Sequence, residues 1–265
     1  MKSSTYLKKL GIKRRDHSSA WDEINKLGNA KKVEELVERK IRNQWYTRIG
    51  KATLDYYDGI GGKVYEILQS GEYDSLAREL DDIAGRFKSS KRILDAGCGT
   101  GIFSCWLASK YKNAVVDGID FSDKMIERAE EHKKSLGLAN VKFRKGAMTK
   151  LPFRKGLFDA ALCLYALFET EPDSALNEIS NALVNGGKIY ANMYWCGYAA
   201  VKKDNIKELT QLFKDAGFDV SVSYANVSEE DGEMSCTAIW RGKKTGKPKP
   251  IKTPYSASVS LMSQF

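Results

Sequence analysis

The run Ile93-Leu94-Asp95-Ala96-Gly97-Cys98-Gly99-Thr100-Gly101 holds the residue types and spacing that point most directly to chemistry. An apolar stretch ends in an acidic residue. Three glycines then alternate with Cys98 and Thr100, and Ile102-Phe103 opens a helical pattern. A glycine-rich strand-to-helix turn lets the main chain approach a ligand closely and adopt conformations costly for other residues. The spacing is G-x-G-x-G, and Ile102 stands where the dinucleotide fingerprint has its last glycine or alanine, which disfavours a nicotinamide-dependent oxidoreductase. Asp95 puts negative charge beside the loop, which suits a cationic ligand group better than a pyrophosphate. Asp120 follows 25 residues after Asp95, at the end of Val115-Val116-Asp117-Gly118-Ile119. An acidic residue there can accept two hydrogen bonds from the vicinal hydroxyls of a ribose, with Phe121 lying along a purine ring. The alternative role for Asp120 is to cap the helix that Ser122-Asp123 begins.

The elements around these residues follow from periodicity. From Lys91 onward, short apolar runs at 92–95, 114–120, 141–144, 159–165 and 188–194 alternate with helical stretches at 102–110, 123–136, 174–183 and 206–216. This alternation predicts a doubly wound α/β fold: a mostly parallel sheet covered by helices on both faces, with ligand-binding loops along one edge. Two further strands, at 219–224 and 235–241, read as an appended antiparallel hairpin. Before the sheet, Val33, Val37, Ile41, Trp45 and Ile49 recur every fourth residue and predict an amphipathic helix. Residues 1–20 are basic and polar with no clear period, and are expected to be a flexible arm. The expected organisation is this arm, a helical extension or lid over 21–87, a ligand-binding domain over 88–243 and a basic tail over 244–265.

Composition narrows the function classes. The 265 residues carry a formal net charge of +9, with 42% hydrophobic and 29% charged residues, enough apolar material for a core. The charge is uneven: residues 1–52 carry a net +8 and residues 241–265 a net +6, which leaves the middle of the chain at −5. A nucleic-acid surface is therefore not favoured for the central domain. The first residues lack the apolar stretch of a secretory signal, and no apolar run approaches the roughly 20 residues of a membrane span. Five scattered cysteines without a C-x-x-C pair support neither a disulfide framework nor a metal site, and point to reduced thiols in a cytoplasmic protein.

The glycine loop and Asp120 resemble those of class I S-adenosylmethionine-dependent methyltransferases. The resemblance continues through GAMTKLPF (146–153), FDAALCLYAL (158–167), LVNGGKIY (183–190) and KDAGF (214–218), and covers about residues 88–241. It implies a Rossmann-like, seven-stranded, mostly parallel sheet with a helical lid and with S-adenosylmethionine over the strand ends. No metal is expected. Carried onto this chain, Asp95 would serve the methionine ammonium through water. Gly97, Gly99 and Gly101, with Cys98 and Thr100 between them, would form the floor under methionine and ribose. Asp120 would take the ribose hydroxyls, with Phe121 beside it, and Met148 would pack on the adenine. Cys163 and Tyr165 would lie near the transferable methyl. Ala147 stands where many relatives have Asp, so an adenine contact is lost or comes from the backbone.

Methyl transfer from a sulfonium is an in-line displacement, for which positioning supplies much of the acceleration. Proton removal from the acceptor is the remaining task. The chain has only two histidines, His17 and His132, and neither is expected in the pocket. Tyr57, Tyr165 and Asp58 are the candidate proton acceptors. Trp45, Tyr46, Tyr56, Tyr57, Tyr165, Phe168, Tyr194 and Trp195 are the candidate walls of a site for a flat or apolar small molecule, or ordinary core between lid and sheet. The alternatives are an RNA or protein acceptor recruited by the basic termini, and a cofactor-binding module that regulates a partner without turnover.

Overall fold

The computed structural model describes residues 1–46, 51–195, 203–230 and 233–250, without the side chains of 17, 39–46, 51–52, 168, 194–195, 203–205, 226–230 and 233–236. A strand covered on both faces reads as a continuous apolar run. Ile93, Leu94 and Ala96 accordingly form the fully buried strand β1 (Arg92–Ala96) at the centre of the sheet. It pairs in parallel with β2 (Val115–Asp120) on one side and β4 (Phe158–Leu164) on the other. The seven strands run in the order β3-β2-β1-β4-β5-β7-β6, with β3 at Val141–Lys145 and β5 at Leu183–Trp195. The last pair, β6 (Phe218–Glu230) and β7 (Glu233–Lys244), is an antiparallel hairpin whose β7 lies antiparallel to β5. The strand order reverses between β1 and β4, so the loops after these two strands diverge and leave a crevice at their carboxyl ends.

Period-two alternation sorts β4 between two cores. Ala160, Leu162 and Leu164 join one layer with helices α5 (Tyr73–Phe87) and α6 (Ile102–Lys110). Ala161 and Cys163 face the other, under α8 (Pro172–Ala182) and α9 (Lys203–Asp215). Helix α7 (Asp123–Ser135) starts on a Ser122 cap, whose hydroxyl accepts from the Met125 amide at 3.2 Å.

The N-terminal segment departs from expectation. Residues 1–20 are not a loose arm: they form α1 (Ser3–Lys9) and the start of α2 (His17–Lys26). Tyr6 and Leu7 are fully buried in the first core, and the Tyr6 hydroxyl donates to the Ile102 carbonyl at 2.5 Å. Basic composition hid a short helix whose few apolar side chains find their partners on α5 and α6, far away in sequence. The extension has its own small core, in which Ala20, Ile24 and Val33 meet Ile60, Val64 and Ile67. These last three lie on α4 (Lys51–Gln69), and Val33 on α3 (Ala30–Tyr46). Helix α4 breaks at Gly61, where φ +70° and ψ 158° are accessible to glycine at little cost. The next residue, Gly62, lets α4 close onto α7 and the glycine loop: a Cβ there would sit 2.5 Å from Arg128 Cβ and 3.2 Å from Thr100 Cγ2.

Beyond the hairpin, Lys249 fastens the first part of the tail to α9 through an ion pair of 2.7 Å with Asp215. Among the described residues, no helix is long and apolar enough to cross a membrane, and no cluster of three His, Cys, Asp or Glu is placed to hold a metal ion.

Candidate functional site

The loop after β1 is shaped by hydrogen bonds to the end of β2. Gly97 and Cys98 amides donate to the Ile119 carbonyl at 2.8 and 3.0 Å. The Gly99 amide donates to Asp120 Oδ2 at 2.9 Å, and the Ser122 amide to Asp120 Oδ1 at 3.0 Å. Asp120 thus braces the loop from one side and the start of α7 from the other. All three loop glycines have positive φ, at +78°, +51° and +74°. Their surroundings differ. A Cβ on Gly97 would lie 2.4 Å from Ala166 Cβ, and one on Gly101 2.7 Å from Phe143 Cζ. A Cβ on Gly99 would meet nothing within 4 Å. Gly101 and the buried Thr100 therefore serve packing beneath the loop, whereas Gly99 opens onto free space.

That space is a cavity of about 200 Å³ over the carboxyl ends of β1, β2 and β4. It is lined by Gly97, Gly99, Asp120, Phe121, Ala147, Met148, Tyr57 and Tyr165, eight residues that the sequence pattern singles out. It is also lined by Tyr65, Met125, Leu164, Ala166, Glu169 and Thr170, which the pattern missed. Tyr57 anchors the lid side of the wall, with edge-on ring contacts to Phe121 at 5.9 Å, Tyr65 at 5.7 Å and Tyr56 at 5.0 Å. Tyr65 follows Tyr57 in the same Tyr-rich stretch but beyond the break at Gly61, so no helical spacing flags it.

Several expected site residues lie elsewhere. Cys163 is fully buried on the α8 face of β4, with its Sγ 4.0 Å from Met148 Sδ, so it backs Met148 instead of facing the cavity. Leu164, of opposite parity, and Tyr165, which lies past the strand end at positive φ, reach the crevice instead. Asp58 does not line the cavity either: its carboxylate accepts from the Ser122 hydroxyl at 2.5 Å and the Lys124 amide at 3.3 Å, tying the lid to α7. Asp95 is buried beneath the loop and accepts from the Ser104 hydroxyl at 2.6 Å. Cys98 is buried, and Tyr56 packs with the lid core. The side chains of Trp45, Tyr46, Phe168, Tyr194 and Trp195 fall outside the described residues. His132 is also outside the lining, but it folds back on the loop: Nδ1 is 2.9 Å from the Thr100 carbonyl and Nε2 is 3.2 Å from Glu66 on α4.

Burial shapes the acid–base character. Desolvation raises Asp95 to about 7, with Ser104 opposing and Asp120 reinforcing. Asp120 is raised to about 6 by the same cause, against the pull of the Ser122 and Gly99 amides. A buried carboxylate held this far above the ordinary range is short of positive partners, and a cationic ligand group would relieve it. Tyr57 and Tyr65 are pushed well above the usual phenol value by desolvation and by the nearby charge of Glu169, and Tyr56 is raised by the same two causes. The Tyr165 phenol is raised too, by burial and by Glu79. All four therefore stay protonated at neutral pH; the Tyr165 hydroxyl donates to Glu79, and that of Tyr65 accepts from the Gln69 side chain at 2.9 Å.

The donor set fits the adenosine cofactor implied by the sequence pattern. Gly99 leaves room where the backbone meets the cavity, Asp120 holds acceptor oxygens at its edge, and Phe121, Met125 and Met148 supply an apolar wall.

Comparison with known proteins is consistent with this geometry. Residues 87–217 match the family described as a methyltransferase domain. A demethylmenaquinone methyltransferase of Lactococcus lactis is 38% identical over 100 residues, covering 37% of this chain and 39% of that protein. A second demethylmenaquinone methyltransferase, from Bacillus cytotoxicus, is 28% identical over 170 residues, or 50% of this chain and 71% of that protein. Among solved structures, a phosphoethanolamine N-methyltransferase of Haemonchus contortus, in complex with phosphomonomethylethanolamine and S-adenosylhomocysteine, superposes with a TM-score of 0.60 at 19% identity, covering 74% of this chain and 60% of that one. The [4+2]-cyclase SpnF superposes with a TM-score of 0.55 at 20% identity, over 65% of this chain and 82% of that one. At such identities the likeness is one of fold, and a fold alone does not select a reaction.

Proposed function

We propose that this chain, whose residues 87–217 match the methyltransferase domain family and whose fold is that of class I S-adenosylmethionine-dependent methyltransferases, transfers a methyl group from S-adenosylmethionine to a flat, largely apolar small molecule. The observation that carries this reading is the division of one cavity. Its floor is the glycine loop braced by Asp120, and its far walls are the rings of Tyr57, Tyr65 and Tyr165. An aromatic wall of this kind suits a planar acceptor. The relatives named as demethylmenaquinone methyltransferases support an aromatic substrate class.

The cofactor supplies an electrophilic methyl on a positively charged sulfur. The chain supplies position and exclusion of water. Asp120 would take the ribose hydroxyls, Asp95, buried beneath the loop, would attract the methionine ammonium, and Phe121, Met125 and Met148 would lie along the adenine. Lid helix α4 covers the cavity with Tyr57 and Tyr65, which would exclude water and hold the acceptor in line with the methyl. The protonated phenols are poor bases: Tyr57 donates the hydrogen bond that orients the acceptor, while the Tyr165 hydroxyl donates to Glu79 and its ring forms part of the wall. Glu169, a carboxylate in the lining, is then the residue placed to receive the acceptor's proton.

The test is incubation of the protein with methyl-labelled S-adenosylmethionine and either a reduced demethylnaphthoquinone or a metabolite extract. A product heavier by one methylene is expected. The aromatic-acceptor reading is wrong if label passes only to RNA or protein. The orienting role of Tyr57 is wrong if Tyr57→Phe leaves turnover intact.

A further inference from the structure

Tyr165 stands out twice. It lines the cavity at the end of β4, and among the described residues it is the one non-glycine with a positive φ, +54°. That backbone region is sparsely populated by residues with a Cβ, and it persists where surrounding contacts over-determine it. Here they do. The Tyr165 amide donates to Asn192 Oδ1 at 2.7 Å, the Asn192 amide group donates to Glu79 Oε1, and the Tyr165 hydroxyl donates to Glu79 Oε2 at 2.9 Å. The three side chains close a triangle from α5 to β4 to β5. Glu79 is its hub, and it neither lines the cavity nor takes part in the chemistry described above.

We propose that Glu79 is a positioning residue that holds the Tyr165 ring in the cavity wall by accepting hydrogen bonds from Tyr165 and Asn192 with both carboxylate oxygens. The inference rests on Tyr165 being part of the cofactor and acceptor site. The ionised carboxylate accepts from both partners through charge-assisted bonds. A proton on Oε2 forces the Tyr165 hydroxyl to turn from donor to acceptor, a proton on Oε1 sets an O–H against the Asn192 N–H, and in either case the charge that strengthens both bonds is lost. Among the described residues, the groups facing Glu79 are few: Asp82 on its own helix, Tyr165 just after β4, Tyr190 and Asn192 on β5, and Arg241 on β7. Arg241 is drawn off by Asp82, with an ion pair of 2.7 Å, and the Tyr190 hydroxyl donates to Asp82 at 3.2 Å. Among the described residues, Glu79 thus has two hydrogen-bond donors and only the more distant pull of Arg241 as a cation. Burial raises it to about 7, against the pull of Tyr165 and Asn192, so it changes state in the neutral range. The triangle is therefore held most firmly above neutrality and more weakly below it. As it weakens, the ring is held less firmly at the cavity, and the binding-competent fraction falls.

Glutamine is nearly isosteric with glutamate but carries one acceptor and one donor group, so Glu79→Gln imitates the protonated carboxylate at every pH. The measurement is S-adenosylhomocysteine affinity by calorimetry on the full chain, with thermal unfolding recorded alongside. Asp95 and Asp120 also titrate near this range, so the readout is the wild-type to variant affinity ratio, in which their contribution cancels. That ratio is expected to be about fivefold at about pH 8 and to fall towards about one at about pH 6. A ratio near one at the higher pH, or an equal ratio at both, overturns the proposal; a merely structural role would give the second result. If Glu79→Gln does not fold, Tyr165→Phe, which keeps the ring and loses the hydroxyl, is read in the same way. Its affinity deficit must be larger at the higher pH, and a pH-independent deficit sinks the idea. No methyl acceptor enters the assay, so an error about the acceptor's identity leaves its outcome unaffected.

Discussion

The floor and the wall of the cavity are built by different means. The floor is local and made of backbone: Gly97 to Gly101 turn over the end of β1, and their amides bond to Ile119 and Asp120 on the neighbouring strand. The wall is assembled from residues far apart in sequence. Tyr57 and Tyr65 come from the lid helix, while Tyr165, Glu169 and Thr170 follow β4. Around Tyr165 the support comes from side chains on α5 and β5. Such a design separates two tasks. A floor made of main-chain groups recognises a constant ligand and tolerates little change, whereas a wall of side chains on mobile or insertable elements can be re-cut for a different acceptor.

The largest expected effect is on the floor. Asp120→Ala removes the acceptor for the ribose and frees the Gly99 amide, and cofactor affinity measured by calorimetry should drop about 100-fold or more, since hydrogen bonds to a charged group contribute roughly 1.5–3 kcal/mol each. A loss under tenfold would mean that the floor is not built around Asp120. Next is Gly97→Ala, which must place a Cβ against Ala166 at positive φ. Urea denaturation should show about 2 kcal/mol of destabilisation, together with weaker cofactor binding. Unchanged stability would show that the loop has slack.

A smaller and opposite effect is expected at Asp95. Its folded-state value, about 7, lies above that of an unfolded Asp, so the folded protein takes up a proton between about pH 4 and 7 that the unfolded chain does not. Stability of the cofactor-free protein therefore falls as pH rises through that window and stays low above it. Asp120, raised to about 6, adds to the same slope. Asp95→Asn should stabilise the cofactor-free protein at about pH 8 by on the order of 1 kcal/mol, flatten the slope, and weaken cofactor binding. A variant less stable at that pH than the wild type would contradict the assigned strain. The mildest change is on the wall: Tyr57→Phe keeps the ring contacts with Phe121 and Tyr65. Cofactor affinity should move by less than about threefold, while methyl transfer falls about tenfold. Equal losses in both would mean that floor and wall are not separable.

Legibility from sequence follows the same division. The glycine loop, Asp120 and Phe121 were readable because strand, turn and helix lie within a few residues of one another, and the local pattern constrains the backbone directly; Met148 was reached only through the resemblance to class I methyltransferases. The alternation of apolar runs likewise prescribed the sheet and the terminal hairpin. Glu169 and Met125 gave no such signal, since a lone polar or apolar residue in the first turn of a helix or in a short connection has many ordinary uses. The segment 1–20 was misread for a related reason: Tyr6, Leu7 and Leu10 are too few to show a period, and their partners are on α5 and α6.

The sequence by itself determined the order of elements, the glycine turn at the cavity and the acidic residue across from it, because these depend on local φ/ψ preferences and on hydrophobic period. Tertiary structure decided which side of a strand end faces the crevice. Cys163 and Tyr165 are two residues apart, yet Cys163 packs under α8 while Tyr165, at positive φ, swings to the cavity and onto Glu79, 86 residues away. That turn depends on Asn192 and Glu79 being delivered by other elements. Only the folded arrangement brings together the three side chains that hold it.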